Sequence, residues 1–245
     1  MDPKIYVEMR ELEDHHWWFT ARRKIVSKVL HGLRLSRVSR ILDMGCGTGG
    51  NLPLLTTFGH VTGVELDDAA AAMARERAAG PVLKGALPDS LPFGSDRFDA
   101  ILLLDVLEHI EDDLASLKRL HSILSPGGHL VLTVPAFRFL WSAHDTTHHH
   151  HRRYTATQLR TLLVDAGYDV SHLTYFNTLL FPVVAAVRLG GKLLRRRPTA
   201  HDLTMPAPTT NRLLAWIFGS ERYVIDRIRL PFGVSLLAVA RREAS

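Results

Sequence analysis

Short apolar runs alternate with amphipathic stretches through the middle of the chain. The runs are typical of buried strands, and four stand out: 40–45 (RILDMG), 60–66 (HVTGVEL), 97–110 (RFDAILLLDVLEHI) and 129–136 (HLVLTVPA). The stretches with helical spacing are GGNLPLL, DDAAAAMARERAAG (67–80) and DDLASLKRLHSIL (112–124). Because strands that alternate with helices pair in parallel, the pattern predicts an α/β fold with helices on both faces of the sheet.

Both flanks of this alternation carry helical patterns of their own. We expect residues 1–35, rich in aromatic residues and arginine, to form a helical lid. The core then comprises 36–175 and 231–245, and 176–230 is a helical insertion or cap containing FNTLLFPVVAAVRLGGKLLRRR and NRLLAWIFG. The insertion is either an interfacial helix, with arginines on anionic lipid headgroups, or a cap or dimer surface. The arginines of this basic cluster are Arg195, Arg196 and Arg197.

Composition and charge narrow the class of protein only a little. A chain of 245 residues with 46% apolar residues can bury a substantial core. The single cysteine, Cys46, excludes an intramolecular disulfide and is typical of a reducing compartment, so we expect a cytoplasmic protein. A net charge of +5 allows an anionic partner without requiring one. The sequence indicates no oligomeric state.

A glycine-rich segment, LDMGCGTGGN, follows the first predicted strand. Its glycines let the backbone approach a ligand, and the helix after it presents free amides. Gly45, Gly47 and Gly50 match the dinucleotide pattern G-x-G-x-x-G. Asp43 argues against a dinucleotide, because a carboxylate beside a pyrophosphate is unfavourable but suits an ammonium and a sulfonium. Glu65 ends the second strand, where an acid can accept hydrogen bonds from ribose hydroxyls.

Four motifs in order resemble those of class I S-adenosylmethionine-dependent methyltransferases. They are ILDMGCGTGGN, VTGVEL, LPFGSDRFDAILLLDVLEHI and LSPGGHLVLTVPA, and the likeness covers about residues 38–175. The resemblance implies a Rossmann-like, seven-stranded, mostly parallel sheet with an antiparallel last strand, for which GVSLLAVARR (233–242) is the candidate. It also implies S-adenosyl-L-methionine as cofactor and S-adenosyl-L-homocysteine as product.

The resemblance also assigns cofactor contacts on matching positions. Glu65 is expected to hold the ribose, while Asp43 and Asp105 lie near the methionine portion. Many relatives have an acid that meets the adenine amine where this chain has Ala86, so adenine depends on backbone groups and apolar packing. The expected cofactor residues are Trp18, Asp43, Gly45, Cys46, Gly47, Glu65, Leu66, Ala86, Leu87 and Asp105.

Two further stretches, HWWFTARR (16–23) and WSAHDTTHHHHRRY (141–154), resemble a narrower bacterial group of these enzymes. That group shares H-W-W-F-x-x-R-R near the N-terminus and a later W-S-x-H-D…H-x-R-R-Y. His148 and His149 fall outside the pattern and are interpreted as local replacements. The residues on motif positions are His144, Asp145, His150, Arg152, Arg153 and Tyr154.

Three interpretations of the histidine-rich stretch stay open: a metal site, a solvated loop, or a substrate-handling loop after the fifth strand. A metal site would use His144, Asp145 and a later histidine. Substrate handling is favoured, because methyl transfer from a sulfonium needs no Lewis acid, and no metal ligand is assigned. His144 or His150 would then take a proton from an acceptor hydroxyl, with Asp145 orienting it. The expected substrate residues are Trp141, Arg152, Arg153 and Tyr154, with an arginine as anion clamp.

Two function classes follow from these features. The favoured one is an enzyme that methylates a small, hydrophobic or lipid-linked acceptor, with peripheral membrane contact through the insertion. The alternative is a cofactor-binding partner or regulator without transferase activity. Nucleic acid is not expected as acceptor, because the chain has no N-P-P-Y-like tetrapeptide and no added recognition domain. The aromatic residues of HWWF are either packing or a lid that excludes water from the cofactor.

Overall fold

Seven strands form one mixed sheet. They are β1 (Arg40–Met44), β2 (His60–Glu65), β3 (Val82–Lys84), β4 (Phe98–Leu104), β5 (Leu124–Pro135), β6 (Asp169–Phe176) and β7 (Ser235–Arg241). Their order is β3-β2-β1-β4-β5-β7-β6. Neighbours from β3 to β5 pair in parallel, whereas β7 lies antiparallel between β5 and β6. The predicted Rossmann-like α/β sheet with an antiparallel last strand is confirmed.

The computed structural model describes residues 3–193 and 204–244, and its helices flank the sheet. They are α1 (Pro3–Leu12), α2 (Trp17–Gly32), α3 (Leu52–Leu55), α4 (Asp68–Arg77), α5 (Asp113–Ile123), α6 (Ala143–Thr147), α7 (Ala156–Asp165), α8 (Phe181–Leu193) and α9 (Pro208–Ser220). Within these described ranges, no helix is both long and apolar enough to cross a membrane. The basic cluster Arg195, Arg196 and Arg197 lies outside the described residues.

The side chains of β4 divide the core into two layers. Because side chains alternate across a strand, Ile101 and Leu103 join one apolar cluster with α5 and α7. Leu102 and Leu104 join the other cluster, with α2, α4 and α9. Burial on both faces explains the continuous apolar run. The run places Asp105, the first polar residue after β4, at the carboxyl edge of the sheet.

The N-terminal helix α2 and the insertion helix α9 pack on the same face of the sheet. Ile25 of α2, Phe176 of β6 and Phe218 of α9 belong to one buried cluster, and the two phenyl rings stack with centroids 5.8 Å apart. The backbone N–H of Trp17 donates to the Asn211 side chain at 2.8 Å. The boundaries proposed for lid, core and insertion therefore separate elements that share one hydrophobic core.

Two segments differ from the sequence predictions. The run 97–110 is not strand throughout: β4 ends at Leu104, because Asp105 has a left-handed backbone (φ 57°) and Leu107–His109 forms a 3-10 turn. The histidine-rich stretch is not loop throughout, since its first part forms α6. That short helix is stabilised at its start by a capping box between Ser142 and Asp145.

Candidate active site

A cavity of about 1590 Å³ opens at the carboxyl edge of the parallel strands. Gly45 follows β1, Leu66 follows β2 and Asp105 follows β4, and all three line it. Ligand cavities usually measure roughly 300–1,000 Å³. This cavity is therefore large enough for two ligands side by side, as a group-transfer reaction requires.

The glycine turn after β1 forms one end of the cavity. Gly45 and Gly47 have left-handed backbones, with φ of 73° and 56°, a conformation that favours glycine. A Cβ atom on Gly45 would lie 2.6 Å from a methyl group of Val106, whereas one on Gly47 would meet no heavy atom within 4 Å among the described residues. The backbone at Gly47 is thus open to a ligand.

Glu65, the last residue of β2, is fixed beside this turn by backbone amides. Its Oε2 accepts from Gly47 at 2.8 Å, and its Oε1 accepts from Leu66 and Asp67 at 2.9 and 3.0 Å. Each carboxylate oxygen can accept two hydrogen bonds. Oε2 therefore keeps one acceptor place for a ligand hydroxyl, while the orientation of the carboxylate is already set.

An arginine from α2 reaches the end of β4. The Arg22 guanidinium pairs with the Asp105 carboxylate and lies 4.5 Å from the ring centroid of Trp18. All three residues line the cavity. The N-terminal motif HWWFTARR is thus tied directly to the strand edge, which places Trp18 on the cavity wall.

Four histidines form a cluster of ring contacts on the cavity wall. They are His109, His144, His148 and His150, and all four line the cavity. Burial, together with the neighbouring imidazoles, lowers the pKa of His109 and His144 to about 3 and that of His148 to about 4. These three imidazoles are therefore neutral near pH 7, and each keeps a lone pair that can accept a proton or bind a metal.

Asp145, fully buried, organises this histidine cluster. Arg153 donates to its two oxygens at 2.7 and 2.9 Å, and Ser142 donates its backbone N–H at 2.8 Å. Nδ1 of His150 lies 2.9 Å from Oδ1. Burial alone would raise the pKa of Asp145, but the hydrogen bonds from His150 and Arg153 and the arginine charge hold it below its ordinary value. Asp145 is thus an anion that orients His150.

The third wall of the cavity is apolar and comes from α8. Val183, Val184 and Val187 line the cavity, and Val183 and Val187 are also largely exposed to solvent. Residues four apart share a helix face. The valines therefore form an apolar rim at the mouth of the cavity.

Comparison with known proteins decides the family. A family model described as a methyltransferase domain matches residues 15–173. The chain belongs to this methyltransferase domain family. The match begins at the N-terminal motif and ends within β6, so it contains both the glycine turn and the histidine cluster.

Curated relatives and solved structures agree with this assignment. A probable S-adenosylmethionine-dependent methyltransferase of Mycolicibacterium smegmatis is 25% identical over 65% of this chain and 62% of its own length. A ubiquinone biosynthesis O-methyltransferase of Alkalilimnicola ehrlichii is 28% identical over 54% of this chain and 64% of its length. The chain thus spans somewhat under two thirds of each relative.

The fold of this methyltransferase domain also matches a solved structure. The S-adenosylmethionine dependent methyltransferase of Mesorhizobium loti has a TM-score of 0.55, with 22% identity, 87% of this chain and 96% of that chain covered. This likeness shows the fold. The family match and the curated relative confirm the predicted methyltransferase class and the predicted cofactor, S-adenosyl-L-methionine. Membership of the narrower bacterial group stays a prediction.

The cavity collects all but one of the residues predicted for the cofactor. Those on its wall are Trp18, Gly45, Cys46, Gly47, Glu65, Leu66, Ala86, Leu87 and Asp105. Asp43 differs: it is buried and does not belong to the described cavity lining. Burial raises the pKa of Asp43 to about 7. Asp43 thus lies outside the described cavity lining, and its proximity to the methionine portion stays a prediction.

The predicted substrate residues divide into two groups. Trp141 and Arg153 line the cavity. Arg153 is buried, and its guanidinium donates hydrogen bonds to Asp145 and to the Ala136 carbonyl. Arg152 and Tyr154 lie outside the described lining, and both bind Asp113, at 2.7 and 2.9 Å. Both arginines are thus paired with carboxylates of the protein itself, and the anion clamp stays a prediction.

Several cavity residues were not predicted from the sequence. Glu108 and His109 belong to the segment DVLEHI. The sequence shows these residues, but it did not predict the 3-10 turn that places them on the cavity wall. His148, interpreted as a local replacement, joins the histidine cluster. The α1 residues Tyr6 and Met9 line the opposite end. No signal in the sequence distinguished them from ordinary packing residues.

Proposed function

We propose that this chain transfers a methyl group from S-adenosylmethionine to an oxygen of a hydrophobic or lipid-linked acceptor. The observation that carries the proposal is that one cavity combines the glycine turn, the histidine cluster and the apolar rim of α8. The glycine turn suits the cofactor. The histidine cluster can receive a proton from the acceptor, and the apolar rim can contact an apolar acceptor.

The residues at the glycine end fit the cofactor. Gly47 leaves open backbone where a side chain would intrude, and Oε2 of Glu65 keeps one acceptor place for a ribose hydroxyl. Leu66, Ala86 and Leu87 supply apolar contact for the adenine. When bound, S-adenosylmethionine supplies an electrophilic methyl group on a sulfonium.

The histidine cluster would hold and remove the acceptor proton. Asp145 binds Nδ1 of His150 and so leaves Nε2 as the basic nitrogen. His144 lies at the same wall and is the weaker candidate, because burial lowers its pKa to about 3. General base catalysis of this kind typically contributes about 10²–10⁴-fold to the rate. Trp18 and its neighbours would exclude water during the transfer.

An apolar acceptor follows from the rim formed by α8. The ubiquinone biosynthesis O-methyltransferase among the relatives acts, by its name, in the synthesis of an isoprenoid-linked compound. We extend the same acceptor class to this chain: a hydroxyl-bearing ring or chain attached to an apolar tail. The tail would leave the cavity between Val183 and Val187.

Peripheral membrane contact is part of the same proposal. Leu213 and Trp216 of α9 are exposed, as are Val183 and Val187 of α8. Exposed apolar residues on helices can enter the headgroup boundary of a bilayer, where a lipid-linked acceptor would lie. Co-sedimentation with anionic vesicles at low salt tests this contact; a protein left wholly in the supernatant would contradict it.

Methyl transfer to a panel of acceptors tests the function. Purified protein is incubated with S-adenosylmethionine and with matched phenols that carry or lack an isoprenoid tail, and S-adenosylhomocysteine is measured. We expect turnover that rises with the tail. Cofactor binding without turnover on any cellular lipid or metabolite extract would favour the alternative, a cofactor-binding partner or regulator. Turnover confined to strongly polar acceptors would contradict the acceptor class.

A further inference from the structure

Three side chains of metal-binding type converge at the histidine side of the cavity. Glu108 and His109 come from the 3-10 turn after β4, and His150 comes from the stretch after β5. One ligand atom of each residue lies within 4.8 Å of the other two. We propose that these three residues bind a divalent first-row metal ion. Zinc fits best, because two imidazoles and one carboxylate are a common catalytic zinc set.

Glu108 gives independent support for a cation at this place. Its side chain is 1% exposed, yet Oε2 has no hydrogen-bond partner among the residues that the structure describes. A buried polar atom without a partner is unfavourable, and such atoms are rare in folded proteins. A metal ion would satisfy the oxygen directly.

His150 is held in the orientation that a metal ligand needs. Its Nδ1 is bound to Asp145 at 2.9 Å, which leaves Nε2 as the coordinating nitrogen. Metal-bound histidines almost always donate their other ring N–H to a carboxylate, carbonyl or water. Asp145 is itself fixed by two hydrogen bonds from Arg153. Asp145 and His150 thus have the arrangement found in carboxylate–histidine–metal triads.

The two chain segments that supply the ligands are joined by a backbone hydrogen bond. The N–H of His151 donates to the carbonyl of Glu108 at 2.8 Å. The rings of His109 and His150 lie nearly perpendicular, with centroids 4.6 Å apart. Two atoms on one tetrahedral zinc, each bound at about 2.0–2.1 Å, are about 3.4 Å apart. The widest ligand pair therefore has to close by at most about 1.4 Å, a movement that side chains alone can make.

The proposed ion would face the acceptor, because all three ligands line the cavity. With three protein ligands, a fourth position stays open for an acceptor oxygen, and coordination lowers the pKa of a bound hydroxyl. His150 would then be a ligand, and His144 would receive the proton. This role rests on the proposed methyl transfer, whereas metal binding itself does not.

Zinc titration of tag-free protein tests the site. We expect one zinc ion per chain by calorimetry, and a cobalt-substituted form with the visible absorption of a low-coordinate site. Glu108→Gln and His109→Ala should each weaken zinc binding by at least about tenfold to a hundredfold, the effect usual for loss of an outer-shell partner alone. Circular dichroism and thermal unfolding show whether each variant is folded. Glu108→Gln keeps the side-chain volume, which favours an intact fold.

The run of histidines at 148–151 offers a competing explanation, a surface chelator. His149→Asn is the matched control, since His149 is exposed with φ 55°, a conformation that asparagine tolerates. Unchanged zinc affinity in both Glu108→Gln and His109→Ala, or loss of zinc in His149→Asn, would overturn the proposal. Zinc binding that depends on Glu108, in a protein without methyl transfer, would support the site and contradict the proposed function.

Discussion

Replacement of Glu65 by alanine removes a carboxylate whose position is fixed before any ligand arrives. Three backbone amides hold it at 2.8 to 3.0 Å, and Oε2 keeps one acceptor place. If that place accepts a ribose hydroxyl, the variant loses one charge-assisted hydrogen bond to the cofactor. The loss should appear in the affinity for the cofactor rather than in the chemistry of transfer.

The size of the effect follows from the bond type. A hydrogen bond to a charged group contributes about 1.5–3 kcal/mol. We therefore expect a loss of about that size for Glu65→Ala, which is roughly tenfold to a hundredfold in Kd. Glu65→Gln keeps one acceptor oxygen without the charge, so roughly a tenfold loss is expected for it.

Calorimetric titration with S-adenosylhomocysteine measures the change without turnover. Glu243→Ala, an exposed acid beyond the end of β7, is the control for charge removal. Glu65→Ala leaves the amides of Gly47, Leu66 and Asp67 without this acceptor. Thermal unfolding of the variant shows whether it is still folded. Equal affinity in folded Glu65→Ala and the native protein would refute the assignment of Glu65, and tighter binding of NAD than of S-adenosylmethionine would refute the cofactor.

Three further predictions concern other parts of the site. His144→Ala should lower kcat by about 10²–10⁴-fold and leave cofactor affinity unchanged by calorimetry; an unchanged kcat would contradict a base role. Val187→Asp should raise KM for tailed acceptors, whereas Val164→Asp on α7 should not; equal KM values would contradict the apolar rim. Burial raises the pKa of Asp43 to about 7. The free energy of unfolding of the native protein should therefore fall as the pH rises from 4 to 7, by up to about 4 kcal/mol relative to Asp43→Asn, as measured by urea unfolding. The same pH dependence of stability in both proteins would contradict this.

The fold could be predicted because its signals are local. The run ILLL of β4 is buried on both faces, and such a strand has to be continuous and apolar. The glycine turn needs left-handed backbone at Gly45 and Gly47, which restricts the residue type at each position. Order along the chain then determines which strand ends meet at the carboxyl edge. For these reasons nearly every cofactor residue was correctly placed on the cavity wall.

The substrate side could not be predicted in the same way, because its residues are partnered across the fold. Arg152 and Tyr154 bind Asp113 at the start of α5, about forty positions earlier in the chain. An arginine in a histidine-rich motif has the same appearance whether its partner is a substrate anion or an internal carboxylate. Only the three-dimensional structure distinguishes the two.

Asp145 shows how one buried anion decides the chemistry of its surroundings. A carboxylate removed from water is stable only with close partners, and here Arg153 neutralises it while His150 and Ser142 complete its hydrogen bonds. Arg153 is therefore engaged within the protein, and the contact at Nδ1 leaves Nε2 of His150 free of Asp145. Ligand atoms of His150 and Glu108 lie within 4.8 Å of each other, and Oε2 of Glu108 has no hydrogen-bond partner among the described residues, so this pair can serve a proton or a metal ion. The difference between the two is measurable, since a base role of His150 does not require Glu108, whereas a metal role depends on Glu108 and His109 as well.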